Sequence, residues 1–196
     1  MDTSFRFIDR YPTSLRDLYG KSDYHEHLVG LLERRDQRLE SVMDQVLNPP
    51  RARVYETTGP AQNIPNTTNT AVSFTSVAYN NFGMWVSTAN TRLTIPQGNA
   101  GLYHINGGPA FAASGSIGQQ RVLSLRVNGT NIIKSVNTTG NSAYDTRLEV
   151  SADYQLADLD YVELVAYQNT GGNLALVLGA APSVQSFPQL SCRRVA

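Results

Sequence analysis

Few side chains in this 196-residue chain have the types and spacing that chemistry requires. Its histidines are His25, His27 and His104. His25 and His27 stand two apart in a stretch with helical periodicity. A helix that grips one metal ion presents ligands three or four apart, so these two are expected to be solvated or to serve a helix end. His104 follows Tyr103 in a strand-like run and is expected to be a half-exposed sheet residue. The close acidic group of the second half is Asp158, Asp160 and Glu163. Two carboxylates facing each other across a cleft can hydrolyse a glycoside, and carboxylate oxygens can hold calcium. Acids this close in sequence more often share one solvated turn. Asp158 and Asp160 are therefore weak candidates for a cation, and no metal site is assigned. Cys192, the single cysteine, has no histidine near it in sequence to activate a thiolate, and is expected to be a small buried hydrophobe. There is no Gly-x-Ser-x-Gly elbow and no phosphate-cradling glycine loop. No catalytic residue and no cofactor are expected: this is a chain that binds rather than an enzyme. Tyr79 and Trp85 are the candidate ligand contacts, because aromatic faces beside asparagine-rich loops suit sugars. A core or subunit-interface role for Trp85 stays open.

Whole-chain properties narrow the partners. Apolar residues make up 41% of the chain, enough to build a core. The formal net charge is zero, which argues against a nucleic-acid binder, since that function needs a basic face to displace phosphate counterions. The first twenty residues carry acids early and have no uninterrupted apolar stretch, unlike a signal peptide. No segment approaches the ~20 apolar residues needed to cross a bilayer, so no membrane insertion is expected.

The elements that would position these residues fall into two halves. About 18 of the 32 charged residues lie before position 55, and the rest of the chain is rich in Asn, Thr, Ser, Gly and Val. From Ser22 to Leu47 the pattern is helical, with Asp23 and Glu26 as a capping box. Leu28, Leu32, Leu39, Val42 and Val46 fall on a heptad seam, with His25 and Arg35 at its remaining positions. Val29, Leu31 and Met43 widen the stripe. Pro49 and Pro50 stop the helix. The seam suits self-association or docking on another protein, and packing on the chain's own domain stays open. Residues 1 to 21 carry Phe5, Phe7, Ile8, Tyr11, Leu15, Leu18 and Tyr19, as a segment that folds against a partner would. The expected division is 1–50, a docking segment and helical stem, and 53–196, a β domain.

In that second half short β-like runs alternate with turns. Expected strands are Arg53–Thr57, Ala71–Tyr79, Thr91–Ile95, Gly101–Asn106, Val122–Val127, Asn131–Val136, Thr146–Val150, Tyr161–Gln168 and Ala175–Leu178. Asn128-Gly129 between two apolar runs is the clearest hairpin signal. Many short strands with no helical pattern between them indicate a sandwich or jelly roll. Leu123 and Leu125 alternate with polar neighbours, so one face of that strand is wet. The run holding Val162 and Leu164 is expected to bury one face and offer the other to a neighbouring subunit.

This half resembles the C1q-like family, which shares its jelly roll with the tumour-necrosis-factor cytokines. The residues that carry the likeness are Asn90-Thr-Arg-Leu-Thr-Ile-Pro-Gln-Gly-Asn-Ala-Gly-Leu-Tyr103, then Arg121-Val-Leu-Ser-Leu-Arg-Val-Asn-Gly129, then Leu156-Ala-Asp-Leu-Asp-Tyr-Val-Glu-Leu164, and finally Phe187-Pro-Gln-Leu-Ser191. Gly101 would let the chain turn tightly into a strand, and Tyr103 would place its ring between the sheets. Leu159-Asp160 departs from the family's usual Gly-Asp. The resemblance implies an all-β, ten-strand jelly-roll sandwich that assembles as a homotrimer. With a helical stem and no collagen repeat, the chain looks most like C1q-like domains of bacteriophage structural proteins. That implies a virion fibre, spike or minor tail protein, docked on other virion proteins through residues 1–50, with its head exposed to a host-surface glycan or protein. A capsid-decoration or head-fibre protein without a receptor is the alternative.

Overall fold

The computed structural model describes residues 22–57, 60–115, 118–140, 143–178 and 188–195. The chain divides into two compact units, Met1–Asn48 and Pro49–Ala196.

In the first unit one helix, α1, spans Ser22–Leu47. Its 26 residues extend about 39 Å at the usual rise. It begins at Ser22, and the side chains of Asp23 and Glu26, the expected capping box, lie outside the described residues. Leu28, Leu32 and Leu39 are exposed, as are Val29, Leu31 and Met43. The side chains of His25, Val42 and Val46 lie outside the described residues, as does the expected docking segment, residues 1 to 21.

Among its described residues the second unit is all β apart from two short 3₁₀ turns, Asn81–Gly83 and Ser87–Ala89. Its strands are β1 (Arg51–Tyr55), β2 (Asn63–Ile64), β3 (Thr70–Ala71), β4 (Ser76–Asn80), β5 (Arg92–Thr94), β6 (Gly101–Gly108), β7 (Ala110–Phe111), β8 (Gln120–Val127), β9 (Asn131–Thr139), β10 (Thr146–Arg147), β11 (Val150–Leu156), β12 (Tyr161–Gln168), β13 (Leu174–Ala175) and β14 (Gln189–Arg194). Ten of them form two five-stranded sheets. The first runs β11-β6-β14-β1-β4; the second runs β3-β12-β8-β9 with β5 also on β12. Two further ribbons are β10-β7 and β13-β2. Every ladder is antiparallel.

Alternation explains the layering. On the first sheet Ala52, Val54, Tyr103, Ile105, Leu190 and Cys192 are buried, while their strand neighbours point outward. On the second, Leu93, Leu123, Leu125, Val162, Leu164 and Ala166 are buried, and all of these belong to one continuous core. The sheets approach closely at Gly107, where an added Cβ would stand 2.8 Å from Leu164 Cδ1. The β8–β9 hairpin turns through residues 128–130, with Asn128 and Gly129 at positive φ (52° and 73°) and the Thr130 N–H donating to the Val127 carbonyl at 3.3 Å.

Four expectations need correction. Ala71–Tyr79 is not one strand. β3 belongs to the second sheet and β4 to the first, and the chain crosses between them with Val72 and Phe74 buried. Val72 N–H donates to the Leu164 carbonyl and Phe74 N–H to that of Asn90, which holds the crossing. The run 146–150 is also split: Thr146–Arg147 is a short ribbon, and the long strand is Val150–Leu156. Gly101 is an ordinary buried strand residue paired with Leu156; the positive φ of that turn (77°) belongs to Gly98. Finally, Glu163 and Val165, on the outward side of β12, are already 8% and 3% exposed within the protomer, so that stretch offers no bare face to a neighbour.

Candidate ligand-binding surface

β4 is an edge strand, bonded only to β1 within its sheet. Tyr79, near its end, is exposed, and the Arg51 guanidinium carbon lies 5.7 Å from its ring centroid, a cation–π approach. The next residue closes a loop. Asn80 Nδ2 donates to the Trp85 carbonyl at 2.9 Å, and Asn80 Oδ1 accepts from the Trp85 N–H at 3.0 Å. Met84 anchors the loop from inside, buried, with its carbonyl accepting the Thr94 N–H at 2.7 Å. Pinned in this way, the loop holds Phe82 and Val86 in solvent. Phe82 adopts φ 62°, a left-handed conformation that costs a non-glycine residue roughly 1–2 kcal/mol. Trp85 packs half-buried against the core, and its indole N–H is buried without a partner.

Tyr79 and Trp85 are thus brought to one strand–loop edge, joined through Asn80. Phe82 belongs beside them and was not expected. Nothing in Asn-Phe-Gly-Met announces that the phenylalanine is the residue turned outward, because that follows from the Asn80 clamp and the Met84 anchor.

The acidic group does something different. Asp158 Oδ1 accepts the N–H groups of Asn99 (2.9 Å) and Ala100 (2.8 Å), tying the β5–β6 turn to the β11–β12 turn. Backbone donors, with Gly98 foremost and Ala100 and Asn99 adding, hold its carboxyl below the usual range against a smaller opposing effect of burial. Asp160 Oδ2 accepts the Ala157 N–H at 2.8 Å, and its Oδ1 accepts Asn128 Nδ2 at 2.7 Å. Leu159 between them takes φ 66°, the conformation a glycine would adopt without strain. Glu163 accepts from Arg126 Nε at 2.9 Å, and His104 Nδ1 lies 2.7 Å from Asp153 Oδ1. These carboxylates fasten turns and strands. Among the described residues no three His, Cys, Asp or Glu side chains converge as a metal site. Cys192 is buried on the inner face of β14, and burial pushes its thiol well above the usual range, which disfavours the thiolate.

No protein-family model matches the chain, and no curated protein matches it. Solved structures do. The globular domain of zebrafish complement 1qA protein superposes with a TM-score of 0.54 at 11% identity, covering 75% of this chain and 98% of that one. Murine APRIL, in a crystal structure at pH 5.0, gives a TM-score of 0.51 at 11% identity, covering 74% of this chain and 99% of that one. Nearly the whole of each relative is matched, so the likeness spans a complete domain. What is shared is the fold: a C1q/TNF-like jelly-roll sandwich, preceded here by one helix.

Proposed function

We propose that this chain is a non-enzymatic, homotrimeric binding protein of a bacteriophage virion, a fibre or spike subunit. Residues 1–50 dock it on other virion proteins, and the jelly-roll head meets a host-surface glycan or protein. The observation that carries the reading is the coupling of a C1q/TNF-like jelly roll to a separate helical unit whose Leu28, Leu32 and Leu39 stand exposed. Burying such a side chain contributes roughly 1.5–3 kcal/mol, so a stem of this kind gains by gathering copies or seating on a partner. Three heads on one stem would multiply a weak contact through effective concentration. The carboxylates support a non-catalytic role, being committed to backbone and side-chain donors.

Immunogold labelling of intact particles with separate antibodies against residues 1–48 and 49–196 tests this. The fibre reading expects the β unit at the distal tip. Label spread evenly over the capsid would favour a decoration protein, and absence from particles would refute a virion role. Sugar released from host polysaccharide by the purified chain would refute the non-enzymatic assignment.

A further inference from the structure

We propose that α1 joins the same helix of two further copies in a parallel three-stranded coil, in which Arg35 of each helix pairs with Asp36 of the next. This rests on the homotrimer above and names what covers the exposed leucines: the other subunits' own stems.

At about 100° per residue round the helix axis, the described side chains sort into three strips. Leu28, Leu32 and Leu39 form the seam, with Arg35 in line with them. In heptad terms Leu32 and Leu39 stand at a, and Leu28 and Arg35 at d. One flank carries Leu31, Arg38 and Arg34; the other carries Asp36, Glu40 and Glu33. All of these side chains are exposed. The two flanks are opposite in sign, so the neighbours along each of them repel. Arg34 and Arg38 are four apart, Arg35 and Arg38 three, Glu33 and Asp36 three, and Asp36 and Glu40 four. Those spacings are contacts on a helix, and like charges there destabilise it. A helix that stands alone in water mixes the signs at these spacings instead. No ion pair joins any of these six groups among the described residues, and Arg34 Nε donates to the Gly30 carbonyl at 2.9 Å.

A parallel copy supplies the missing opposite charge. In a parallel coil the g side of each helix faces the e side of the next. Leu31 and Arg38 hold g and Asp36 holds e, so a basic flank meets an acidic one at every interface round the ring. Antiparallel helices set g against g and e against e, which places arginine on arginine and aspartate on aspartate. The core gives a second reason. A side chain at d inserts into a hole of four residues on the neighbouring helix, and for Arg35 these are that helix's Leu32, Arg35, Asp36 and Leu39. Asp36 is the carboxylate of that hole, and it matches the guanidinium fork. A charge in a core layer costs stability unless it is paired, and its best-attested use is to fix register. A slip of one heptad replaces Asp36 by Val29 or Met43, and Arg35 loses its partner. A lipid surface would instead ask for bases along both flanks of the seam.

The test is hydrogen exchange and disulfide linking on the purified full chain. The backbone amides of residues 32–39 should exchange far more slowly than those of a lone helix, which opens readily at this length. Asp36→Asn leaves Arg35 unpaired and should lower that protection about tenfold or more. In an Arg35→Leu background the same substitution should lower it less than about twofold, because the pair is already gone. Leu28→Cys and Leu39→Cys should each link to their own copies under mild oxidation, and the outward Gln37→Cys should not. Cys192 is buried and does not compete. The proposal is overturned if α1 exchanges like a lone helix, or if Asp36→Asn acts equally in both backgrounds. Linking of one seam cysteine and not the other, as an antiparallel crossing gives, also overturns it. So does protection that arises only on intact particles, because another virion protein would then cover the seam. A trimer by light scattering that shows neither protection nor linking loses this inference and keeps the homotrimer, whereas a lone protomer at every concentration removes both.

Discussion

Tyr103 offers the sharpest test of how the jelly roll is held together, because its ring and its hydroxyl can be removed separately. The residue is fully buried on β6, and its hydroxyl donates to the Asn99 carbonyl at 2.7 Å. Tyr103→Ala deletes the ring from a packed interior and should cost about 3–5 kcal/mol. For a domain of this size that is a fall in Tm of roughly 10–15 °C. Tyr103→Phe keeps the ring and strands the Asn99 carbonyl, so it should cost about 1–2 kcal/mol. A pH arm isolates the hydroxyl. The phenol is pushed up to about 12, chiefly by burial, with Cys192 and Asp158 adding to the shift and Arg194 opposing it. Between pH 10 and 12 the unfolded chain has released this proton and the folded chain still holds it. The unfolded state then binds fewer protons, so stability is complete below about pH 10 and falls as pH rises, by roughly 2–3 kcal/mol in all. Tyr103→Phe removes that part of the loss and leaves the part that the raised Cys192 thiol produces in the same direction. Thermal unfolding followed by circular dichroism from pH 7 to 12 reads all three quantities. An unchanged Tm for Tyr103→Ala, or identical alkaline slopes for parent and Tyr103→Phe, would refute this placement of the ring and its hydroxyl.

Other outcomes follow from local geometry. Leu159→Gly relieves a left-handed leucine and should stabilise by up to ~1 kcal/mol, net of glycine's entropy, so a lower Tm would count against strain there. Gly140→Ala would place a Cβ 2.6 Å from Nη2 and 2.7 Å from Cζ of the fully buried Arg121, whose Nη2 is held at 2.7 Å by Ser114 Oγ. It should cost about 1–3 kcal/mol. The cost should shrink in an Arg121→Met background, and equal costs in both backgrounds would exclude the clash as its cause. Residues 49–196 alone should unfold cooperatively with the β spectrum of the full chain. An insoluble product would refute independence of the two units.

How far the sequence carries depends on the element. β12 was legible to the residue, because Tyr161–Gln168 is an unbroken apolar-rich run lying between strands on both sides. The β8–β9 hairpin was legible because Asn-Gly accepts the turn geometry. β11 was half hidden: at the edge of its sheet it turns Ser151, Asp153 and Gln155 to water, leaving too little apolar alternation to stand out. The crossing from β3 to β4 could not be read at all. Val72 and Phe74 face the same core whether the chain continues its strand or changes sheets, and only their hydrogen-bond partners differ. At the candidate surface, Tyr79 and Trp85 stood out as residue types. Phe82 did not, because only the Asn80–Trp85 clamp and the buried Met84 turn it outward.

The most direct measurement of the central claim is the solution mass of the full chain and of residues 49–196, by light scattering at micromolar concentration. A self-associating jelly roll gives three times the 21.5 kDa protomer for the full chain, with the β unit alone also trimeric or returning to trimer as concentration rises. A full-length species that stays at 21.5 kDa across that range contradicts it.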